Sequence, residues 1–161
     1  MKYALNNCSI IDGTKDCKVL LNKTILIDGE IIASINNGDS KIPEDFKIID
    51  LSGKYVMPGM INLHAHLFGT GKPSKSLGGG GLQKMILGFI KTKLGDKVLL
   101  GMVKNSVTQA MNSGVTTIRG VGDFQYSDVR VRDMINSGKM LGPRLIVSGP
   151  AITVPGGHGD G

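Results

Sequence analysis

The hydrophobic pattern of this chain changes period once, at Pro58-Gly59, and that change restricts the fold more than any other feature. Ahead of it lie short β-prone runs: Val19-Leu20-Leu21, Thr24-Ile25-Leu26-Ile27, Glu30 to Ile35, Phe46 to Leu51 and Lys54 to Met57. Asp12-Gly13, Asp28-Gly29 and Ser52-Gly53 punctuate them. Asp-Gly between two such runs signals a tight hairpin, because the central turn residues want positive φ. Residues 1–57 therefore read as a small all-β unit. Behind the change, Met60-Ile61-Asn62-Leu63 is a short apolar strand, followed by a polar, Gly-rich loop from Gly69 to Gly81. A helical segment, Leu82 to Lys93, is interrupted by Gly88. Leu99, Met102, Val103, Ser106, Val107, Ala110 and Met111 recur at helical spacing and predict a helix over 96–113, stopped by Gly114. Val115 to Ile118 is a β-branched strand, and Ser127 to Asn136 a helix with Ser127 as its N-cap. Pro143 to Val147 is a third strand, and a Gly-rich tail runs from Thr153 to Gly161. Strand, helix, strand, helix, strand implies parallel strands joined by crossovers, an α/β arrangement.

Composition narrows the function classes. The 161 residues are 40% hydrophobic and 20% charged, the balance of a soluble globular chain. The net charge of +6 raises the question of nucleic acid, yet no two Lys or Arg are adjacent and no aromatic stacking pattern accompanies them. A Lys-rich solvated surface is the reading, with no nucleic-acid partner. Cys8 and Cys17 match neither a zinc spacing nor a redox pair, so two structural thiols in a reducing compartment are expected. Polar residues interrupt the N-terminus too early for a signal-peptide core, and no apolar run approaches the ~20 residues of a membrane span. The expectation is a cytoplasmic protein without a membrane partner. The run Gly78 to Gly81 lacks the Lys-Ser/Thr ending of a phosphate-binding loop and reads as plain loop.

Two of the three histidines, His64 and His66, stand two apart at the end of the strand that follows Pro58. Strand side chains alternate, so both rings leave the same face and can reach one divalent ion at ~2.0–2.1 Å. The C-terminal end of a parallel strand is also where α/β barrels build their sites. A bare His-x-His is equally readable as two ordinary loop histidines, and its surroundings decide.

Those surroundings are Val56-Met57-Pro58-Gly59-Met60-Ile61-Asn62-Leu63-His64-Ala65-His66, and the stretch resembles the signature of the amidohydrolase superfamily. There a Pro-Gly step leads into the first barrel strand, which ends in His-x-His. The Asp-Gly hairpins are similar to that family's N-terminal β-sandwich, and Gly114 to Arg119 to its second barrel strand. Ser148 to Thr153 and Gly156-Gly157-His158-Gly159-Asp160 resemble the loop after the third strand in the imidazolonepropionase-like and Xaa-Pro dipeptidase-like branch. The resemblance implies a small β-sandwich unit over 1–57 and the first three strands of a (β/α)8 TIM-like barrel over 58–161, incomplete at that length. It implies that His64 and His66 ligate a divalent metal, usually zinc, and that the enzyme hydrolyses C–N bonds of small peptide-like or cyclic amides. It puts His158 near the substrate; read alone, His158 is equally the end of a loose tail. Arg119 is followed by Gly120 where that branch often has Asp, with Asp123 only later, and Arg119 reads as structural.

At ~31 residues per βα unit the stretch from Pro58 to Gly161 has room for about three. The resemblance implies a carboxylated Lys on a fourth strand, His on the fifth and sixth and an Asp on the eighth, none of which these residues supply. The expectation is therefore a chain inactive alone: a truncated product or one half of a split enzyme whose second chain supplies the remaining strands. A non-catalytic binding module is the alternative.

Overall fold

The computed structural model describes residues 1–16, 18–69 and 81–154. The chain divides into two compact units, Met1–Pro58 and Gly59–Gly161.

The first unit is a five-stranded sheet. Strand β1 (Lys2–Ile11) runs down its middle, antiparallel to β2 (Val19–Asp28), which pairs in turn with antiparallel β3 (Ile31–Asn37). On its other side β1 takes β4 (Lys47–Asp50) and then β5 (Tyr55–Val56), both parallel to it. The predicted hairpin at Asp28-Gly29 is present, one residue displaced. Asp28 pairs with Ile31, so the two-residue loop is Gly29-Glu30, and only Gly29, at φ +62°, carries positive φ. A single glycine at the first loop position is the other turn that suits strand twist. The two β-prone runs around Asn22 are one strand, with Asn22 at φ +47°. Strand β1 was not singled out in the sequence: Asn6-Asn7 breaks its apolar alternation, and Asn7 sits at φ +58° where the register with β2 shifts. Cys8, Ile10 and Ile25 form the buried core, and the Cys8 thiol donates to the Lys23 carbonyl at 3.3 Å. Cys17 lies outside the described residues.

The second unit is built on three parallel strands in the order β6 (Met60–Ala65), β7 (Val115–Gly120), β8 (Arg144–Ile146). Helix α1 (Gly81–Ile90) passes through Gly88 without a break, and α2 (Lys93–Asn112) follows it closely. Helix α2 begins three residues before the hydrophobic repeat suggests, because Thr92 Oγ1 accepts from Gly95 N at 3.1 Å and supplies the N-cap. Helix α3 (Ser127–Asn136) has the predicted span, but its N-cap is Tyr126 and not Ser127. Leu99, Val103 and Val107 of α2, Val131 of α3, Ile118 of β7, Leu145 of β8 and Leu67 make one buried core. Arg130 reaches from α3 to Asp96 in the first turn of α2, with Nη1 at 2.5 Å and Nη2 at 3.1 Å from its two oxygens. No helix among the described residues is long and apolar enough to cross a membrane.

Candidate functional site

Pro58 and Gly59 lead into β6, the strand that ends at the two histidines. A Cβ at Gly59 would overlap the Thr116 side chain, so only glycine lets β6 begin this close to β7. From there the strand runs parallel to β7 as far as Ala65, with register shifts after Met60 and after Asn62; His64 lies near its end and His66 just beyond it. Their ring centroids are 5.5 Å apart with the planes at 77°, edge towards face. The two rings are thus close neighbours on one side of the chain. Both residues are exposed.

The backbone N–H of His64 donates to Asn62 Oδ1 at 3.1 Å. His66 Nδ1 lies 2.9 Å from the Gly122 carbonyl oxygen. A carbonyl can only accept, so Nδ1 carries the proton and the Nε2 lone pair is left available. That is the state in which an imidazole binds a metal, oriented through its other nitrogen. The donors present thus fit two positions of a tetrahedral divalent ion. Among the described residues no group of three or more His, Cys, Asp or Glu converges on one point. Phe68, with its centroid 5.9 Å from His66 and 4.6 Å from Phe124, gives the site an apolar flank.

Beneath the histidines lies a polar group that the sequence reading did not select. Asp123 is 5% exposed, and its Oδ2 accepts from the Leu67 N–H at 2.9 Å. Ser127 Oγ donates to Asp123 Oδ1 at 3.4 Å, which is why that serine does not cap its own helix. Burial pushes the Asp123 carboxyl up to about 6, helped by the nearby charge of Asp128, while the N–H groups of Leu67 and Phe124 and the Ser127 hydroxyl pull the other way. Asp128, fully buried, accepts from Val129 N at 2.8 Å and from Gly149 N at 3.0 Å. Arg119 is exposed on β7; its Nη1 donates to the Leu63 carbonyl at 3.5 Å, a contact to the neighbouring strand's backbone. His158 and its flanking glycines lie outside the described residues, as do residues 70–80 of the expected loop.

A family model described as "Amidohydrolase family" matches residues 55–161. Among solved structures, a putative prolidase from Bifidobacterium longum superposes with a TM-score of 0.73 at 34% identity, over 99% of this chain and 33% of its own. A Xaa-Pro dipeptidase with bound methionine in its active site gives 0.79 at 31% identity, over 99% and 36%. A curated 5-methylthioadenosine/S-adenosylhomocysteine deaminase of Bacillus thuringiensis (strain Al Hakam) is 31% identical over 70 residues, 42% of this chain and 16% of that protein. The chain thus spans about a third of the length of the two solved relatives.

Proposed function

The chain belongs to the amidohydrolase family, and from that premise we propose that it is the front part of a metal-dependent hydrolase of C–N bonds in small peptide-like or cyclic amides. His64 and His66 are its first two metal ligands, most simply for zinc. The observation that carries this is the His66 Nδ1–Gly122 hydrogen bond beside a second exposed imidazole. In this reading residues 1–57 are a portion of an N-terminal β-sandwich, and residues 58–161 are the first three strands of a (β/α)8 barrel. His158 is assigned to the substrate side on resemblance alone. The likeness to a prolidase and a Xaa-Pro dipeptidase over 99% of this chain favours dipeptides within the substrate class.

His64 and His66 would hold two positions of a divalent ion, which when bound would supply a water of near-neutral pKa and Lewis acidity towards the scissile carbonyl. The chain's own part is to hold. Gly122 fixes the His66 tautomer, Asn62 fixes the backbone of His64, and the Phe68 ring flanks the imidazole. A catalytic zinc needs three protein ligands in an open site, and two imidazoles leave the ion free to exchange.

Residues 1–161 alone are therefore expected to show no enzyme-like turnover. A polypeptide carrying the later barrel strands restores turnover and tight metal binding, and His64→Ala abolishes both in the restored complex. The experiment is a zinc-supplemented screen of Xaa-Pro dipeptides, lactams and methylthioadenosine, with metal content measured alongside. Turnover by the 161 residues alone, lost in His64→Ala, would retain the hydrolase and remove the need for further strands. Turnover indifferent to His64→Ala would remove the metal site itself.

A further inference from the structure

Three consecutive residues after β7 hold three consecutive residues at the end of β6. Val121 N donates to the Ala65 carbonyl at 3.1 Å, the Gly122 carbonyl accepts from His66 Nδ1 at 2.9 Å, and Asp123 Oδ2 accepts from Leu67 N at 2.9 Å. The first contact is ordinary strand pairing. The second reads a side chain from a backbone, and the third a backbone from a side chain. Past Gly120 the sheet ladder ends, and a carboxylate takes over the role of the next carbonyl.

The clasp is itself anchored. Asp123 N donates to the Gly149 carbonyl at 3.1 Å, and the Gly149 N–H is taken by Asp128 Oδ2 at 3.0 Å. The segments following β6, β7 and β8 are thereby tied through two buried carboxylates. Gly122 adopts φ +141°, and a Cβ there would lie 3.3 Å from Ala151 Cβ. Only glycine turns its carbonyl towards His66 in that space. The Leu67 N–H is buried and has Asp123 as its acceptor, so an apolar residue at 123 leaves a donor unsatisfied and frees the chain on both sides of it.

We propose that Asp123 is a positioning residue for His66: its carboxylate oxygen locks Leu67 and, with Gly122, sets the imidazole in the Nδ1–H tautomer with Nε2 directed outward. The inference rests on the reading of His66 as a ligand, and it adds a residue that lies 57 positions from His66 in sequence and touches no metal. The acceptor oxygen, and not the charge, performs the task.

The test is the His66 ring in long-range proton–nitrogen correlation spectra of the full 161-residue chain, at about pH 8 where an ordinary imidazole is neutral. Wild type shows Nδ1–H at His66. Asp123→Ala mixes the two tautomers and weakens Co²⁺ binding roughly tenfold, the scale of losing an outer partner of a metal ligand. Asp123→Asn keeps an acceptor for Leu67 N–H and restores both. A purely structural role would lower the melting temperature of Asp123→Ala while leaving the tautomer in place, and that outcome overturns the proposal. If Asp123→Ala does not fold, the wild-type and Asp123→Asn spectra decide: an Nε2–H His66 in either one sinks it. Co²⁺ binding that is indifferent to His66→Ala, with the tautomer still responding to Asp123→Ala, would remove the ligand reading and leave the positioning role standing.

Discussion

Asp123 spends its buried life in a place that disfavours its charge. With the carboxyl raised from 3.8 to about 6, its protonated form is the one the fold prefers. The stability tied to that preference is fully present below the unfolded value and lost as pH rises through about 6. This group alone is expected to make the chain less stable at about pH 7 than at about pH 4, by something on the order of 2–3 kcal/mol. Asp123→Asn removes the titration while keeping the acceptor, so it should flatten that part of the slope. Urea unfolding of both proteins at the two pH values measures it; an Asn variant with the wild-type slope would place the effect elsewhere. At this scale the sequence shows the two histidines and hides what holds them. His64 and His66 are legible because alternation along a strand is a local rule. Asp123 is not, since its partner Leu67 is 56 residues away and only the pairing of β6 with β7 brings them together. Ser127 misleads for the same reason: a serine before a helix reads as its cap until a buried carboxylate claims the hydroxyl.

The element most at odds with its own sequence is the turn that launches α3. Ser127 N donates to the Phe124 carbonyl at 2.9 Å, and the two residues between them, Gln125 and Tyr126, sit at φ +53° and +52°. Such a turn normally recruits Gly or Asn, because other side chains in left-handed backbone are disfavoured by roughly 1–2 kcal/mol each. Gln125 is exposed, so Gln125→Gly should relieve strain without removing a packed group, raising stability by about 1 kcal/mol. A denaturation midpoint that falls on this change would show that the Gln125 side chain contributes more than its backbone loses. The regular elements were far more readable. The spans of β7 and α3 follow β-branched and helical patterns closely, and the parallel pairing follows from their alternation. Where boundaries moved, a side chain or a glycine is responsible. Thr92 pulls the start of α2 forward, and Gly29 takes the first place of the hairpin loop that Asp28 was expected to occupy.

Taken whole, the molecule carries two separate buried clusters, one in each unit, and a good deal of apolar surface beside them. Among the described residues strand β6 is an outer strand of its sheet, and it exposes Ile61 at 63% and Leu63 at 66%. An exposed, apolar edge strand invites pairing with another chain. Concentration-dependent association is therefore expected in sedimentation velocity, and Ile61→Lys should shift it towards the monomer by placing a charge on that edge. Sedimentation unchanged by Ile61→Lys would assign the association to another surface. Another property of the whole chain concerns how it can be watched. There is no tryptophan, and of the three tyrosines only Tyr126 belongs to the second unit. Its ring lies against Gly149, where an added Cβ would come within 3.1 Å of two ring carbons, and Gly149 is bonded by the Asp123 backbone N–H at its carbonyl and by the Asp128 carboxylate at its N–H. A fluorinated tyrosine incorporated throughout the chain would consequently give one resonance from beside the clasp, well placed to register any loosening of the hydrogen bonds that hold Gly149 to Asp123 and Asp128.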